Sequence, residues 1–220
     1  MKSNICKLNE DLTCLGTVLA EVEKVTAYNG LEGKKALRLR LLAEELCGML
    51  PGLIQNFSGE FWAENDGANY ELHVELKADD MNIDLRDQLI SVSKSGKNAA
   101  AKGVMGKIRA VAETMLLAAA DPTIQIPLST GEFYDYNGFN MGFGYVDPVI
   151  YCETGYIYSW SLVNYKTAVE EKEEDAYAEL ERSIVAKLAD DIIVGVRGKN
   201  VEIVVKKSFG FLYDFTKGEQ

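Results

Sequence analysis

The chain has 220 residues, of which 47% are hydrophobic and 26% charged, and its formal net charge is -11. This composition suits one globular domain with a buried core, and the acidic balance disfavours nucleic acid as a partner because phosphates would be repelled. A single histidine and four cysteines, none in a Cys-x-x-Cys pair, disfavour a zinc site and a disulfide framework.

The start of the chain lacks the apolar stretch of a signal peptide, and no apolar run approaches the length of a membrane span. We therefore expect a reduced, cytoplasmic protein with no membrane partner. Cys47 lies in an apolar helical pattern and is expected to be a small core residue.

The first predicted element is a helix. Asn9 is a suitable N-cap, which places the first helical residue at Glu10. Apolar residues then recur at helical spacing as far as Val25, and Asn29 with Gly30 is expected to end the helix.

A second helix is predicted from about Lys34 to Leu50. Helical geometry gives it one buried face, formed by Leu39, Leu42, Ala43, Leu46, Met49 and Leu50. Glu45 lies at the rim of this face. It is either a boundary residue or a carboxylate that faces a pocket beside a sheet.

A β-hairpin is predicted next, with strands at 59–64 and 69–77 around a turn at 65–68. The second strand alternates, so Tyr70, Leu72, Val74 and Leu76 share one face and Glu71, His73, Glu75 and Lys77 share the other. His73 is thus expected to be solvated between two glutamates, and a catalytic role is the alternative.

The rest of the chain predicts a helix over about 98–119, loops and strands over 122–163, a helix over about 166–188 and a closing hairpin. In the helix over about 98–119, helical spacing puts four apolar residues on one stripe: Val104, Ile108, Val111 and Met115. The hairpin strands are 192–197 and 201–206. In the tail, Phe209, Phe211, Tyr213 and Phe215 alternate, which indicates an edge strand or packed tail, or a segment that docks a partner.

The second helix and the closing helix, strand, turn and strand of 179–207 resemble, in this order, the two ends of a histidine-kinase-like (GHKL or Bergerat) ATP-binding domain. The similarity is to the bacterial anti-sigma-factor serine kinases. It implies one domain over 1–220, with an insertion at about 98–170 and an aromatic tail at 208–220. The implied fold is an α+β two-layer sandwich, with a mixed, mainly antiparallel sheet, helices on one face and a β-rich insertion.

The resemblance also implies site residues. The family glutamate that acts as general base matches Glu45, and the asparagine that holds magnesium matches Met49, whose thioether is a poor ligand for Mg²⁺. Asp79 or Asp80 takes the place of the adenine-binding aspartate, although the family's neighbouring glycines are missing. The nucleotide motifs are therefore degenerate.

A separate glycine-rich stretch could bind an anion through backbone N–H groups at a helix start, or could form a flexible lid or a close helix contact. Its residues are Gly96, Lys97, Asn98, Gly103 and Gly106.

Three hypotheses of function follow. The favoured one is a regulatory protein, similar to anti-sigma factors, that binds a partner protein and keeps a vestigial or altered nucleotide pocket. The alternative is an active ATP-binding serine kinase that uses Glu45, an aspartate at 79 or 80 and residues 96–107. In that case ATP or ADP is the implied cofactor, while Met49 disfavours Mg²⁺. The third is an α/β interaction module with an accidental resemblance. The resemblance also implies a homodimer.

Overall fold

The computed structural model describes residues 1–9, 11–50, 57–78, 158–170, 183–197 and 199–210, together with Val104, Ile108, Val111, Ala112, Met115 and Leu116. The strands are β1 (Cys6–Leu8), β2 (Phe57–Asp66), β3 (Asn69–Ala78), β4 (Tyr158–Ser161), β5 (Asp191–Arg197) and β6 (Asn200–Ser208). Four helices have defined bounds: α1 (Leu15–Tyr28), α2 (Gly33–Met49), α3 (Leu162–Glu170) and α4 (Ile184–Leu188).

The described strands form one six-stranded sheet in the order β1-β2-β3-β6-β5-β4, and all the neighbouring strands are antiparallel. Helices pack against this sheet, so the predicted α+β fold with a mainly antiparallel sheet is confirmed. Both predicted hairpins are confirmed, and the pairing of β3 with β6 joins them in one sheet. No helix among the described residues is long and apolar enough to cross a membrane.

The core lies between the helices and one face of the sheet. The strand residues on this inner face include Phe61, Ala63, Leu72, Val74, Leu76, Val194, Val196, Val201, Ile203 and Val205. The predicted buried face of α2 is confirmed except that Met49 is only partly buried against the core. Cys47 is fully buried, and burial raises its pKa to about 12, so this thiol is a packing residue.

The prediction that Asn9 caps the first helix is wrong. The helix begins at Leu15, and its N-cap is Cys14. Residues 6–8 are extended because they pair with β2, and the chain then turns through Leu12, which has a positive φ of 50°. Asn9 instead donates a hydrogen bond from Nδ2 to the Thr13 hydroxyl at 3.4 Å. Because residues 6–8 pair with β2, the helix begins several residues after Asn9, the side chain best suited to cap it.

The prediction of one continuous helix over about 166–188 is also wrong. Helix α3 already begins at Leu162, four residues earlier than predicted. At the other end, Ser183 is extended, with φ -78° and ψ 123°, and its hydroxyl accepts a hydrogen bond from the amide of Ala186. Ser183 is therefore the N-cap of the separate helix α4, because its side chain satisfies an amide that has no partner within the first helical turn.

Part of the range predicted as an insertion belongs to the main sheet, since Tyr158–Ser161 pairs with β5. The apolar stripe of the helix predicted over about 98–119 is confirmed at the residues that the structure describes: Val104, Ile108, Val111 and Met115 are helical and buried in the core. In the tail, Phe209 is buried and packs edge-on against Tyr70 at 5.5 Å between ring centroids. The other three aromatic residues of the tail lie outside the described residues.

A β-bulge interrupts the edge of the sheet formed by the first eight residues. The amide of Ser3 donates to the carbonyl of Ala63 at 2.8 Å, and Cys6 pairs with Phe61. Asn4 and Ile5 therefore lie opposite the single residue Trp62, which is the definition of a bulge.

The bulge is held from the helix layer by Glu21 of α1. This buried carboxylate accepts hydrogen bonds from the ammonium of Lys24 at 2.5 Å and from the amide of Asn4 at 3.2 Å. The hydrogen bond from Lys24 lowers the pKa of Glu21, and the bond from Asn4 acts in the same direction. Because the folded pKa is lowered, the stabilisation is present above the ordinary glutamate pKa of about 4.3 and is lost as the pH falls through the lowered value.

Replacing Glu21 by glutamine should test this link. Glutamine keeps only one of the two acceptor oxygens, so one hydrogen bond is lost and the other no longer ends on a carboxylate; we expect the free energy of unfolding at pH 7 to fall by about 1–2 kcal/mol. Urea denaturation measured at pH 7 and at pH 3 would check it. The difference between the two proteins should shrink at the lower pH. A difference that is equal at both pH values would contradict the proposed role of the carboxylate charge.

Candidate functional site

The structure describes two positions of the predicted nucleotide site. Glu45 is exposed on α2, and Met49, one turn farther along, packs partly buried against the core. These two side chains do not form a pair of oxygen ligands, since the thioether offers only a weak acceptor. The other predicted residues, Asp79, Asp80, Gly96, Lys97, Asn98, Gly103 and Gly106, lie outside the described residues.

Chemistry-bearing side chains gather instead on the sheet face that points away from the core. We call this the outer face; on β2, β3 and β6 it includes Glu60, Trp62, Glu64, Glu71, His73, Glu75, Lys77, Glu202, Val204 and Lys206. Period-two alternation separates it from the apolar inner face. Most of these side chains are half-buried or exposed, so they are available to a ligand.

A stacked pair of rings lies at the centre of the outer face. Trp62 and His73 are register partners on β2 and β3, and their rings lie 4.8 Å apart with planes inclined by 6°. This stack leaves His73 only 9% exposed. The prediction that His73 is solvated is therefore wrong, because a cross-strand indole covers the imidazole.

A lysine and a carboxylate complete the Trp62 side of the stack. The ammonium of Lys2 lies 4.2 Å from the ring centroid of Trp62 and 3.0 Å from Oε1 of Glu64. The indole N–H of Trp62 donates to the same carboxylate oxygen at 2.7 Å. The hydrogen bond from Lys2 lowers the pKa of Glu64, and that from Trp62 adds to it. Trp62 is thus fixed in orientation, which favours its use as a rigid contact surface.

Two glutamates flank the His73 ring. Nδ1 lies 3.3 Å from Oε1 of Glu202, and Nε2 lies 3.2 Å from Oε2 of Glu71. The Nε2 contact does not meet hydrogen-bond geometry, so this buried nitrogen has no hydrogen-bond partner among the described residues. Lys206 lies 3.5 Å from the other oxygen of Glu71. The histidine therefore has one nitrogen held by Glu202 and one that is unsatisfied.

A serine and an aspartate meet at the far side of the sheet, where the outer-face residues Ser159, Ser161 and Ile193 are buried. The hydroxyl of Ser161 donates to Asp191 at 3.0 Å, and the same carboxylate accepts from the amide of Val163 at 3.1 Å. These bonds satisfy the first turn of α3. We interpret the pair as a helix cap. It is not part of a serine–histidine–aspartate arrangement, because the only histidine of the chain lies on β3.

Sequence reasoning missed the stacked pair, although a signal for it was present. The β2–β3 turn consists of Gly67 and Ala68, with Gly67 at a positive φ of 62°, and Asp66 pairs with Asn69. A two-residue turn placed there fixes the register and puts Trp62 opposite His73. Reading the turn as the four residues 65–68 left that register undefined.

The described outer face combines a fixed aromatic surface with charged groups of both signs, namely carboxylates and ammonium groups. Among the described residues, no group of three or more histidine, cysteine, aspartate or glutamate side chains is arranged to hold a metal ion. The arrangement suits recognition of another polar molecule. Neither the protein-family models nor the curated proteins include a match to this chain.

Proposed function

We propose that this chain is a regulatory protein that acts by binding a partner protein, with a fold of the histidine-kinase-like ATPase type and a vestigial or altered nucleotide pocket. The observation that carries the proposal is the outer face, where Trp62 is half-buried, fixed and surrounded by charged groups. Tryptophan is enriched among the residues that dominate protein interfaces, and a polar rim around it is typical of them.

Two further observations favour binding over catalysis by a serine kinase. Met49 packs against the core at the position where the resembled family places a magnesium ligand, and Glu45 is exposed beside it.

The net charge of -11 disfavours nucleic acid, so the proposed partner is a protein, either another regulatory chain or a second copy. The proposed site of action is the cytoplasm.

Thermal melting separates this proposal from the kinase alternative. A ligand that binds only the folded state raises the melting temperature in proportion to the logarithm of its concentration. We expect no such rise with millimolar ATP or ADP, each with and without Mg²⁺. A dose-dependent rise that Glu45→Gln or Asp80→Ala abolishes would support the kinase alternative instead.

Partner binding is tested directly by crosslinking. A photo-crosslinking residue at Lys77, which is exposed on the outer face, is compared with the same residue at Glu44, which is exposed on α2. We expect a discrete adduct only from position 77. The adduct partner, once identified and purified, should bind the wild-type chain and should bind Trp62→Ala at least about tenfold more weakly. If the partner bound the wild-type chain and Trp62→Ala equally, the outer face would not be its binding site.

A further inference from the structure

One side of α2 faces solvent and carries apolar residues. At about 100° per residue, Leu37, Leu41 and Gly48 lie within about 40° of one line along the helix. Leu37 is 52% exposed and Leu41 is half-buried, and neither belongs to the face that packs in the core. A helix with apolar residues on both sides is usually covered on both sides. We call this line of three residues the exposed stripe of α2.

Gly48 is a second indication that another backbone approaches the exposed stripe. A glycine inside a helix weakens the helix. Gly48 does not use a positive φ, and a Cβ atom added there would meet no atom within 4 Å. The described part of the chain therefore gives no reason for glycine at this position. A second helix that packs closely on the stripe does require a residue without a side chain.

The charged residues beside the stripe are arranged against the helix dipole. Lys34 and Lys35 lie in the first turn of α2 and Arg38 follows, whereas Glu44 and Glu45 lie in its second half. Cations are stabilising near the C-terminus of a helix and anions near the N-terminus, so these charges lie toward the unfavourable ends. None of the five forms an ion pair or hydrogen bond with a described residue. Departures from such local rules are expected where a function compensates for them.

We infer that a second copy of this chain docks on the exposed stripe, with the two α2 helices antiparallel about a two-fold axis at Leu41. Residues equally far from Leu41 in opposite directions then face each other, so Lys34 of one copy faces Gly48 of the other. With a rise of about 1.5 Å per residue, Arg38 comes almost level with Glu45 of the second copy, on the same side of the stripe. The basic half of each helix therefore lies along the acidic half of the other.

This association is expected to be weak. A single pair of helices buries less than the roughly 1,200 Å² of a standard interface, so we expect a Kd on the order of 100 µM. Crosslinking of the regulatory partner below about 1 µM leaves the two copies apart, so position 44 remains its control. Because the pair uses α2 and not the outer face, this inference goes beyond the proposed function, and failure of one does not affect the other.

Sedimentation equilibrium of the full chain from about 10 to about 500 µM tests the association. Wild type should show a dimer fraction that rises with concentration. Arg38→Glu and Glu45→Arg should each weaken the association at least about fivefold, because like charges then meet. The double variant Arg38→Glu/Glu45→Arg restores opposite charges and should return to within about threefold of wild type. Matched controls are Lys7→Glu and Glu60→Arg, which make the same single changes of charge on exposed residues of the sheet.

Three outcomes would overturn the inference. The first is a wild-type chain that stays monomeric up to about 500 µM. The second is a loss in the single α2 variants no larger than in the two controls, and the third is a double variant that does not recover. Trp62→Ala should leave the association unchanged, and a loss there would place the second copy on the outer face instead. Thermal melting of each variant at low concentration is the folding control, since changes of exposed residues shift stability little.

Discussion

Replacing Phe61 by alanine is expected to lower the free energy of unfolding by about 3–5 kcal/mol, the usual range for a phenylalanine removed from a core. Phe61 is fully buried and is among the largest side chains in the core. It lies on β2 between Cys6 of β1 and Val74 of β3, so its ring joins three strands to the helix layer. The loss combines the transfer of a large apolar side chain with an unfilled cavity. Urea denaturation monitored by circular dichroism gives the value.

Tyr28→Ala is the control for this prediction, because Tyr28 is also aromatic but is 76% exposed at the end of α1. We expect that change to stay within about 0.5 kcal/mol of wild type. Should Phe61→Ala fail to fold, Phe61→Leu keeps most of the volume and should lose only about 1–2 kcal/mol. A Phe61→Ala protein as stable as Tyr28→Ala would contradict the packing described for β2.

Replacing Gly59 by alanine is expected to destabilise the protein by about 2–3 kcal/mol through overpacking. A Cβ atom at this position would lie 2.6 Å from Cδ2 of Leu76 and 2.7 Å from the backbone carbonyl oxygen of Glu75. The leucine can adopt another rotamer, but the carbonyl belongs to the β2–β3 pairing and moves only if the sheet shifts. Gly59 is therefore required for the close approach of β3 and not for an unusual backbone angle.

Gly16→Ala provides the matched control. Gly16 lies in α1, and an added Cβ would meet no atom within 4 Å. Since alanine is a better helix former, this variant should gain a few tenths to about 1 kcal/mol. Opposite signs for the two changes, measured by thermal melting, are the expected result. A stabilising Gly59→Ala would show that the sheet accommodates the methyl group, contrary to this account.

Much of the fold could be predicted from local patterns. The alternation of Tyr70, Leu72, Val74 and Leu76 indicated a strand with one apolar face, and the period of the α2 residues indicated its buried side. Such patterns depend on each element having one buried face. Helix boundaries were less predictable, since the start of α1 is set by the pairing of β1 with β2, which is a contact distant in sequence.

The candidate site was harder to predict because it is made of cross-strand neighbours. Trp62 becomes the neighbour of His73 only when the β2–β3 register is known, and Glu202 comes within reach of His73 only through the pairing of β3 with β6. The sequence pattern put His73 on the correct face of its strand, but the burial of its ring comes from Trp62 on the neighbouring strand. Family resemblance directed attention to Glu45, which is exposed and lies in the helix layer.

The bulge at Asn4 and Ile5 has a consequence for how the protein behaves when it is concentrated. A strand at the edge of a sheet can pair with strands of other molecules and start aggregation. Here the amide of Asn4 bonds to Glu21, which interrupts the regular ladder that an incoming strand would need. At the other end of the described sheet, β4 has only 4 residues. The irregular first edge and the short last edge thus oppose the growth of the sheet into a fibre.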